Sequence, residues 1–381
     1  METKQKSHIC TSLSIISGKG GCGKTTLALG MAQILANCGI KVLLVDCDLS
    51  THGATYFFEN FLIDKDTIFT TYDLVSIDCV HLFHEKRILN VKKNIDFIPS
   101  VVYLNNSEGG NRPVVADAEM ISAVTENYDV VIYDCQAGYS FITDRLTEIS
   151  TKNLVVLEPD AVTSSATRVL SSQLGQLDSG NTFQVFNKIT GEDYSVYSLV
   201  THGTFYTNLT PVRYDLSVKK AFAFNELPNI DIENTSFSKD VIMLVKAIFQ
   251  PFRKNIEKFI IELKYKEMQN CERKLFDMKS QKKQYSRKRV LEGVSAVTIA
   301  VSFLLTLILT DTFVYNFKDM SSVIRAITYL ISFVVVIFTL VRVFNISFAK
   351  KNEEEINAKI IYYEKEMEEL EEYIYKAEDT L

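Results

Sequence analysis

The chain has no tryptophan and no CxxC pair, and its first residues show no signal-peptide pattern. The missing tryptophan excludes nothing by itself. The seven cysteines (Cys10, Cys22, Cys38, Cys47, Cys79, Cys135 and Cys271) are scattered, several of them inside apolar runs. Without paired spacing they suggest neither a disulfide framework nor a zinc site, and they suit buried thiols in a reducing compartment. The first residues, METKQKSH, are polar, and the first apolar run is only a strand long. No export signal is therefore expected.

Charge is missing from two long stretches. Val294 to Thr310 (VSAVTIAVSFLLTLILT) and Ala326 to Val341 (AITYLISFVVVIFTLV) contain no charged residue. With snorkelling flanks each reaches about 20 residues, enough to span a bilayer. A pair of buried core helices is the competing reading. KSQKKQYSRKR (Lys279 to Arg289) precedes the first stretch, and Arg342, Lys350 and Lys351 follow the second. The loop between them, DTFVYNFKDMSS, has one lysine and two aspartates. By the positive-inside rule this predicts a multi-pass hairpin with both termini cytoplasmic and the loop outside; a bacterial inner membrane is the expected location.

The net charge of -6 resolves into segments. Residues 1–251 carry -8, residues 252–290 carry +8, residues 291–349 are neutral and residues 350–381 carry -6. These boundaries predict an N-terminal globular domain (1–251), a cytoplasmic helix (252–290), two membrane helices (291–345, with spans at about 291–310 and 323–345) and a returning helix (346–381). Apolar residues Ile356, Ile360, Tyr363, Met367, Leu370, Ile374, Ala377 and Leu381 step by 4 and 3, a heptad seam. Upstream, Ile256, Ile260 and Leu263, then Met268, Cys271, Leu275 and Met278, form a second seam with one slip. Neither seam contains Pro or Gly. Opposite charge predicts an antiparallel coiled coil about 45–55 Å long at 1.5 Å per residue. Independent solvated helices, or pairing between subunits, remain open at this point.

The richest chemistry lies near the N-terminus. An apolar strand, ICTSLSII, leads into Gly18-Lys19-Gly20-Gly21-Cys22-Gly23-Lys24-Thr25-Thr26, and helical spacing follows. Strand, glycine-rich turn and helix give G-x-x-x-x-G-K-[ST] the context it needs to be a phosphate-binding loop. Backbone N–H groups of Gly18 to Thr26 would wrap the phosphates of ATP, aided by the helix N-terminus. Lys24 would reach the β/γ-phosphates and Thr25 would hold Mg²⁺.

Two further strands end in acids: KVLLVD followed by Cys47 and Asp48, and DVVIYD ending at Asp134. In an open parallel sheet ligands bind beyond the C-terminal strand ends. This predicts Asp134 as the anchor of the Mg²⁺ water shell, with Asp46 and Asp48 facing the attacking water. Strands NIDFIP, NLVVL and TFQVFNK, with helical stretches between, complete an α/β, doubly wound, mostly parallel fold. Asn187 closes its strand at the same edge, where it could hydrogen-bond adenine.

KGGCGKTT (19–26) resembles the deviant phosphate loop, KGGxGKTT, of the MinD/ParA-type ATPases. The resemblance extends over about residues 8–250 through VLLVDCDLS (42–50), NIDFIPS (94–100), YDVVIYDCQAG (128–138), LVVLEPDAVTSSATRVL (154–170), VFNK (185–188) and YDLSVKKAF (214–222). It implies an ATP-dependent sandwich homodimer in which Lys19 crosses to the partner's phosphates, and it sets Lys188 beside Asn187 in the nucleotide site. Which of Asp46 and Asp48 orients water stays open. Membrane-cycling relatives end in a short reversible amphipathic helix, whereas this chain carries two spans. The -8 domain argues against nonspecific DNA binding, which rests on phosphate neutralisation.

Together these features predict a membrane-anchored ATP hydrolase, slow and partner-stimulated, switching contacts with an unidentified protein partner. Two alternatives are a membrane scaffold whose assembly nucleotide controls, and a bacterial-type tyrosine kinase suggested by Tyr362, Tyr363, Tyr373 and Tyr375. The kinase type generally lacks the first lysine. A tail-anchored-protein targeting factor would need a methionine-rich groove, and the eight methionines are dispersed.

Overall fold

The computed structural model describes residues 10–102, 115–174, 177, 180–191, 206–226, 235–316 and 322–380. The chain divides into two compact units, Met1–Phe259 and Ile260–Leu381.

The first unit is built on an eight-stranded sheet. In chain order the strands are β1 (Thr11–Ser17), β2 (Val42–Cys47), β3 (Leu89–Lys92), β4 (Ile95–Ile98), β5 (Val130–Ala137), β6 (Lys152–Leu157), β7 (Thr182–Phe186) and β8 (Thr207–Asn208). Their spatial order is β3-β4-β2-β5-β1-β6-β7-β8. Every pair is parallel except β3 with β4 at one edge. The expected doubly wound, mostly parallel sheet is therefore present. Its central strands are continuous apolar runs because both faces are covered. Leu13, Ile15, Leu43, Leu44, Val131, Ile132, Leu154 and Val156 are fully buried.

Helices α1 (Lys24–Asn37), α2 (Gly53–Phe57), α3 (Thr71–Leu74), α4 (Cys79–Glu85), α5 (Ala118–Thr125), α6 (Phe141–Ile149), α7 (Ala161–Gln173), α8 (Leu216–Ala223) and α9 (Ser236–Ile248) complete this unit. Several are capped by the side chain that precedes them. Ser140 accepts from the Thr143 amide, Asp160 from Thr163 and Thr235 from Ser238. Such caps satisfy backbone donors that no helical carbonyl can reach, each contributing about 1 kcal/mol. All seven cysteines are free thiols, as their spacing predicts.

The second unit is two long helices. Helix α10 runs without a break from Arg253 to Asn316, and α11 from Ser322 to Thr380. The centre of the loop between them, residues 317–321, lies outside the described residues. The heptad seam is the buried stripe: Cys271, Leu275, Ile360, Leu370 and Ile374 are at most 7% exposed. Bridges across the pair fix its sense. Lys279 meets Glu364 at 2.8 Å, Arg289 meets Glu353 at 2.9 Å, Arg342 pairs with Glu292, and the Tyr265 hydroxyl donates to Glu378 at 3.0 Å. Partner numbers fall on one helix as they rise on the other, so the helices are antiparallel and pair within one chain. Exposed bridges add at most about 1 kcal/mol each, so the apolar seam carries the pairing and the charges select its direction.

Beyond the seam the apolar pattern changes. Both helices contain stretches long and apolar enough to cross a membrane, and only 6% and 0% of those stretches is buried. Val294, Val297, Leu304, Phe333, Phe338 and Leu340 stand more than half exposed. Among the described residues of these segments few side chains are buried, unlike those of a soluble core helix.

Candidate nucleotide site

The phosphate loop links β1 to α1, and its glycines are set by space as well as by backbone angle. A Cβ on Gly18 would stand 2.3 Å from the Ala166 carbonyl carbon of α7. Gly23 has φ 93°, and a Cβ there would lie 2.2 Å from the Asn187 amide nitrogen. Only glycine fits either position. Ser17, the last residue of β1, organises the turn. Its hydroxyl donates to the Lys19 carbonyl at 2.8 Å and accepts from the Lys24 ammonium at 3.1 Å. The Lys24 side chain, 7% exposed, meets no carboxylate within ion-pair distance among the described residues. A buried cation held only by a neutral hydroxyl is poised for an anion.

Asp46 and Asp134 stand side by side at the ends of β2 and β5, in direct register. Both are buried, yet their hydrogen bonding differs. Asp46 Oδ2 accepts from the Thr55 amide (2.8 Å), the Thr55 hydroxyl (2.7 Å) and the Ser100 hydroxyl (3.3 Å), and its Oδ1 from the Asp48 amide (3.1 Å). Asp134 accepts from no backbone amide, and its one hydrogen-bonding neighbour is the Thr25 side chain. Burial, and then the neighbouring Asp46 charge, pushes the Asp134 carboxyl up to about 7, while Thr25 and Lys24 draw it down. Burial pushes Asp46 up to about 6 against the hydrogen bonds from Thr55 and Asp48.

Asp48 sits in the turn after β2. It accepts from the Ser50 amide (3.0 Å) and hydroxyl (2.7 Å) and from the Thr51 amide (2.8 Å) and hydroxyl (2.6 Å). Partial burial raises its carboxyl, and the hydrogen bonds from Thr51 and Ser50 outweigh that and hold it below the usual range.

The other expected residues fall around the same loop. The Asn187 amide donates to the Cys22 carbonyl at 2.8 Å, so its donor braces the loop. Lys188, in left-handed backbone geometry (φ 59°), donates to the Gly21 carbonyl and pairs with Glu158 at 2.6 Å. Cys22 is buried, and its thiol donates to the Lys19 carbonyl at 3.1 Å. Burial raises the thiol's pKa, as does Glu158, which makes it a poor nucleophile. Gly20, Gly21 and Lys19 are exposed, while Thr25 and Thr26 are half-buried. Lys19 lies close enough to Asp160 for its charge to help lower that carboxyl.

These residues fit a magnesium nucleotide. A buried carboxylate touched only by the neighbouring threonine, and a buried lysine on a helix N-terminus, supply cation and phosphate ligands together. Sequence reasoning missed several supports of the site: Ser17, Thr55, Ser100, Glu158, and Gly138, whose amide donates to the Ser17 carbonyl at 2.8 Å. His52 was missed too. It has φ 53°, and its ring shares a 2.9 Å hydrogen bond with Ser100. Thr55 and Ser100 lie 9 and 54 residues from Asp46, and Glu158 lies 30 from Lys188, so the fold rather than the spacing brings them together.

Residues 10–181 match the family described as an AAA domain. The septum site-determining protein MinD of Synechocystis is 23% identical over 193 residues, covering 49% of this chain and 68% of that protein. The sporulation initiation inhibitor protein Soj of Bacillus subtilis is 29% identical over 136 residues, covering 34% of this chain and 51% of that one. Across the curated relatives it matches, this chain spans roughly half their length, from 39% to 68%. Among solved structures, a plasmid partition protein from Borrelia burgdorferi bound to AMPPNP superposes with TM-score 0.50 at 18% identity, over 64% of this chain and 99% of that one. The MinC:MinD cell division complex of Aquifex aeolicus gives TM-score 0.50 at 19% identity, over 63% and 96%. At such identities the structural likeness speaks for the fold.

Proposed function

Starting from an N-terminal domain of the MinD/ParA type of P-loop ATPase, we propose that the whole chain is a membrane-anchored ATP switch. ATP binding would pair two α/β domains, a partner protein would recognise the pair, and slow hydrolysis would release it. The observation that carries the nucleotide chemistry is Asp134, buried beside Lys24 with no backbone hydrogen bond and only the Thr25 side chain as a neighbouring donor.

In this reading Lys24 and the loop amides of Gly18 to Thr26 bind the phosphates of the same chain. Thr25 and Asp134 would be the residues that hold Mg²⁺, Asp134 by way of water. The ion supplies charge neutralisation at the phosphates. Of the two acids, Asp48 would orient water, because hydrogen bonds from Ser50 and Thr51 keep it ionised, whereas Asp46 is fully buried and its carboxyl is raised. Exposed Lys19 is free to serve a partner's nucleotide. Asn187 and Lys188 shape the base side of the loop from β7. The hairpin in α10 and α11 holds the chain in the bilayer with both termini on the cytoplasmic side, so the switch changes contacts rather than location.

Equilibrium ATP binding and steady-state phosphate release by the purified full chain test the assignment. Lys24→Ala is expected to lose ATP binding by at least a hundredfold. Lys19→Ala is expected to bind ATP normally while losing pairing and turnover. Wild-type turnover and pairing in the Lys19 variant would refute the role given to that lysine.

A further inference from the structure

The polar end of the helical hairpin carries a group of cations that the protein itself does not neutralise. From Lys279 to Leu291 helix α10 has six basic residues and no acid. Two of them are committed across the pair, Lys279 to Glu364 and Arg289 to Glu353. Lys282, Lys283, Arg287 and Lys288 form no ion pair among the described residues, and neither does Lys351 on the returning helix. Lys350 reaches Glu354 only at 3.9 Å, both side chains more than 60% exposed. The acids at this level do not cancel the excess. Glu292 is taken by Arg342 and Glu353 by Arg289, which leaves the exposed Glu354 and Glu355.

Position makes this collar specific. The exposed apolar belt begins at Val290 (61%) and Leu291 (75%) on α10 and at Phe348 (57%) and Phe344 (70%) on α11. Lys288 is two residues from that edge and Lys282 eight, about 3 to 12 Å of helix at 1.5 Å per residue. A headgroup layer is roughly 5–7 Å deep on each side of the hydrocarbon core, and flexible lysine stems extend the reach. The unpaired cations thus lie at the depth of lipid phosphates, within about one Debye length of the surface at 0.1 M salt.

We infer that Lys282, Lys283, Arg287, Lys288 and Lys351 form a binding collar for acidic phospholipid headgroups around the hairpin. This rests on the membrane-anchored reading above. Acidic lipids would be enriched beside the hairpin because the collar concentrates positive potential where their phosphodiesters sit. Zwitterionic lipids carry no net charge to answer it.

The test uses the full chain in nanodiscs holding equal amounts of phosphatidylcholine and phosphatidylglycerol. Because the sequence has no tryptophan, Leu291→Trp creates a single reporter at the belt's edge, and Val294→Trp provides a second should the first misfold. Quenching is compared between discs in which one or the other lipid is brominated high in its acyl chains. Brominated phosphatidylglycerol is expected to occupy the reporter's neighbourhood at least threefold more than brominated phosphatidylcholine. That preference is expected to fall toward unity in the Lys282→Gln/Lys283→Gln/Arg287→Gln/Lys288→Gln variant and in 1 M salt. Lys266→Gln, far from the belt, is expected to retain it. Equal quenching by the two lipids in the parent chain would overturn the collar and leave its cations to an acidic protein. A preference that survives the fourfold substitution would overturn it as well. No quenching by either lipid would remove the membrane anchor itself.

Discussion

The α/β domain and the helical hairpin treat the same kind of apolar sequence in opposite ways. In the domain, runs such as VLLV and VVIY are buried on both faces of a parallel sheet, and their residues are inaccessible to solvent. In the hairpin, VSAVTIAVSFLL and FVVVIFTLV present valine, leucine and phenylalanine outward. Polar groups invert in the same sense. The domain buries Asp46 and Asp134 at its ligand edge, whereas the hairpin buries Glu292 (8% exposed) against Arg342 between its helices. The difference teaches that burial here follows from which solvent each region is built for. The domain excludes water with its own chain, whereas the hairpin leaves its apolar side chains uncovered, as the proposed membrane anchor requires.

Breaking the hairpin's side of that contrast should have the largest effect. Val301→Arg with Phe338→Arg places two charges on exposed apolar faces, each costing roughly 3 kcal/mol on insertion scales at mid-span. Carbonate extraction of membranes is expected to release the double variant while the wild-type chain stays in the pellet. On the domain's side, Asp46→Ala strands the Thr55 amide, the Asp48 amide and two hydroxyls, each buried loss worth about 1–3 kcal/mol. Denaturant melts are expected to show destabilisation of about 3 kcal/mol or more. Asp134→Asn disturbs only the contact with the Thr25 side chain and removes a like charge. Its stability is expected to be equal to or above the parent's, while Mg²⁺-dependent ATP binding, measured by calorimetry, drops at least tenfold.

The smallest effect sharpens the same pair of carboxylates. Their pKa values are raised in the folded state to about 6 and about 7. Between the ordinary carboxylate range and those values the folded protein holds more protons than the unfolded chain. Stability of the nucleotide-free domain therefore falls as pH rises through this window. Thermal melts without Mg²⁺ are expected to shift down from pH 5 to pH 8, and Asp134→Asn is expected to flatten the slope. The lowered carboxyls of Asp48, Asp160 and Asp215 act below this window and do not mask it.

Much of this was legible in the sequence because it is local. KGGCGKTT lies on one turn, the strand-end acids follow apolar runs, and the 4-3 spacing from Ile356 to Ala377 is a stripe of α11 that is buried or half-buried throughout. What was not legible depends on partners remote in sequence. The identical position of Asp46 and Asp134 at strand ends hides their difference, because Thr55 and Ser100 reach one and not the other. Asn187, expected at the base, turns its amide to the Cys22 carbonyl because Gly23 leaves space for it. Pairing of the two seams within one chain needed the cross-helix bridges, since heptads alone are silent about which copy supplies the second helix.

Energy transfer between two differently labelled populations of the full chain, co-reconstituted in liposomes with the fluorophores on the α/β domains, tests the central claim most directly. The account predicts that Mg²⁺·ATP raises transfer over Mg²⁺·ADP, that the rise decays as ATP is consumed, and that Lys24→Ala and Lys19→Ala both abolish it. Equal transfer with ATP, with ADP and in both lysine variants would contradict it.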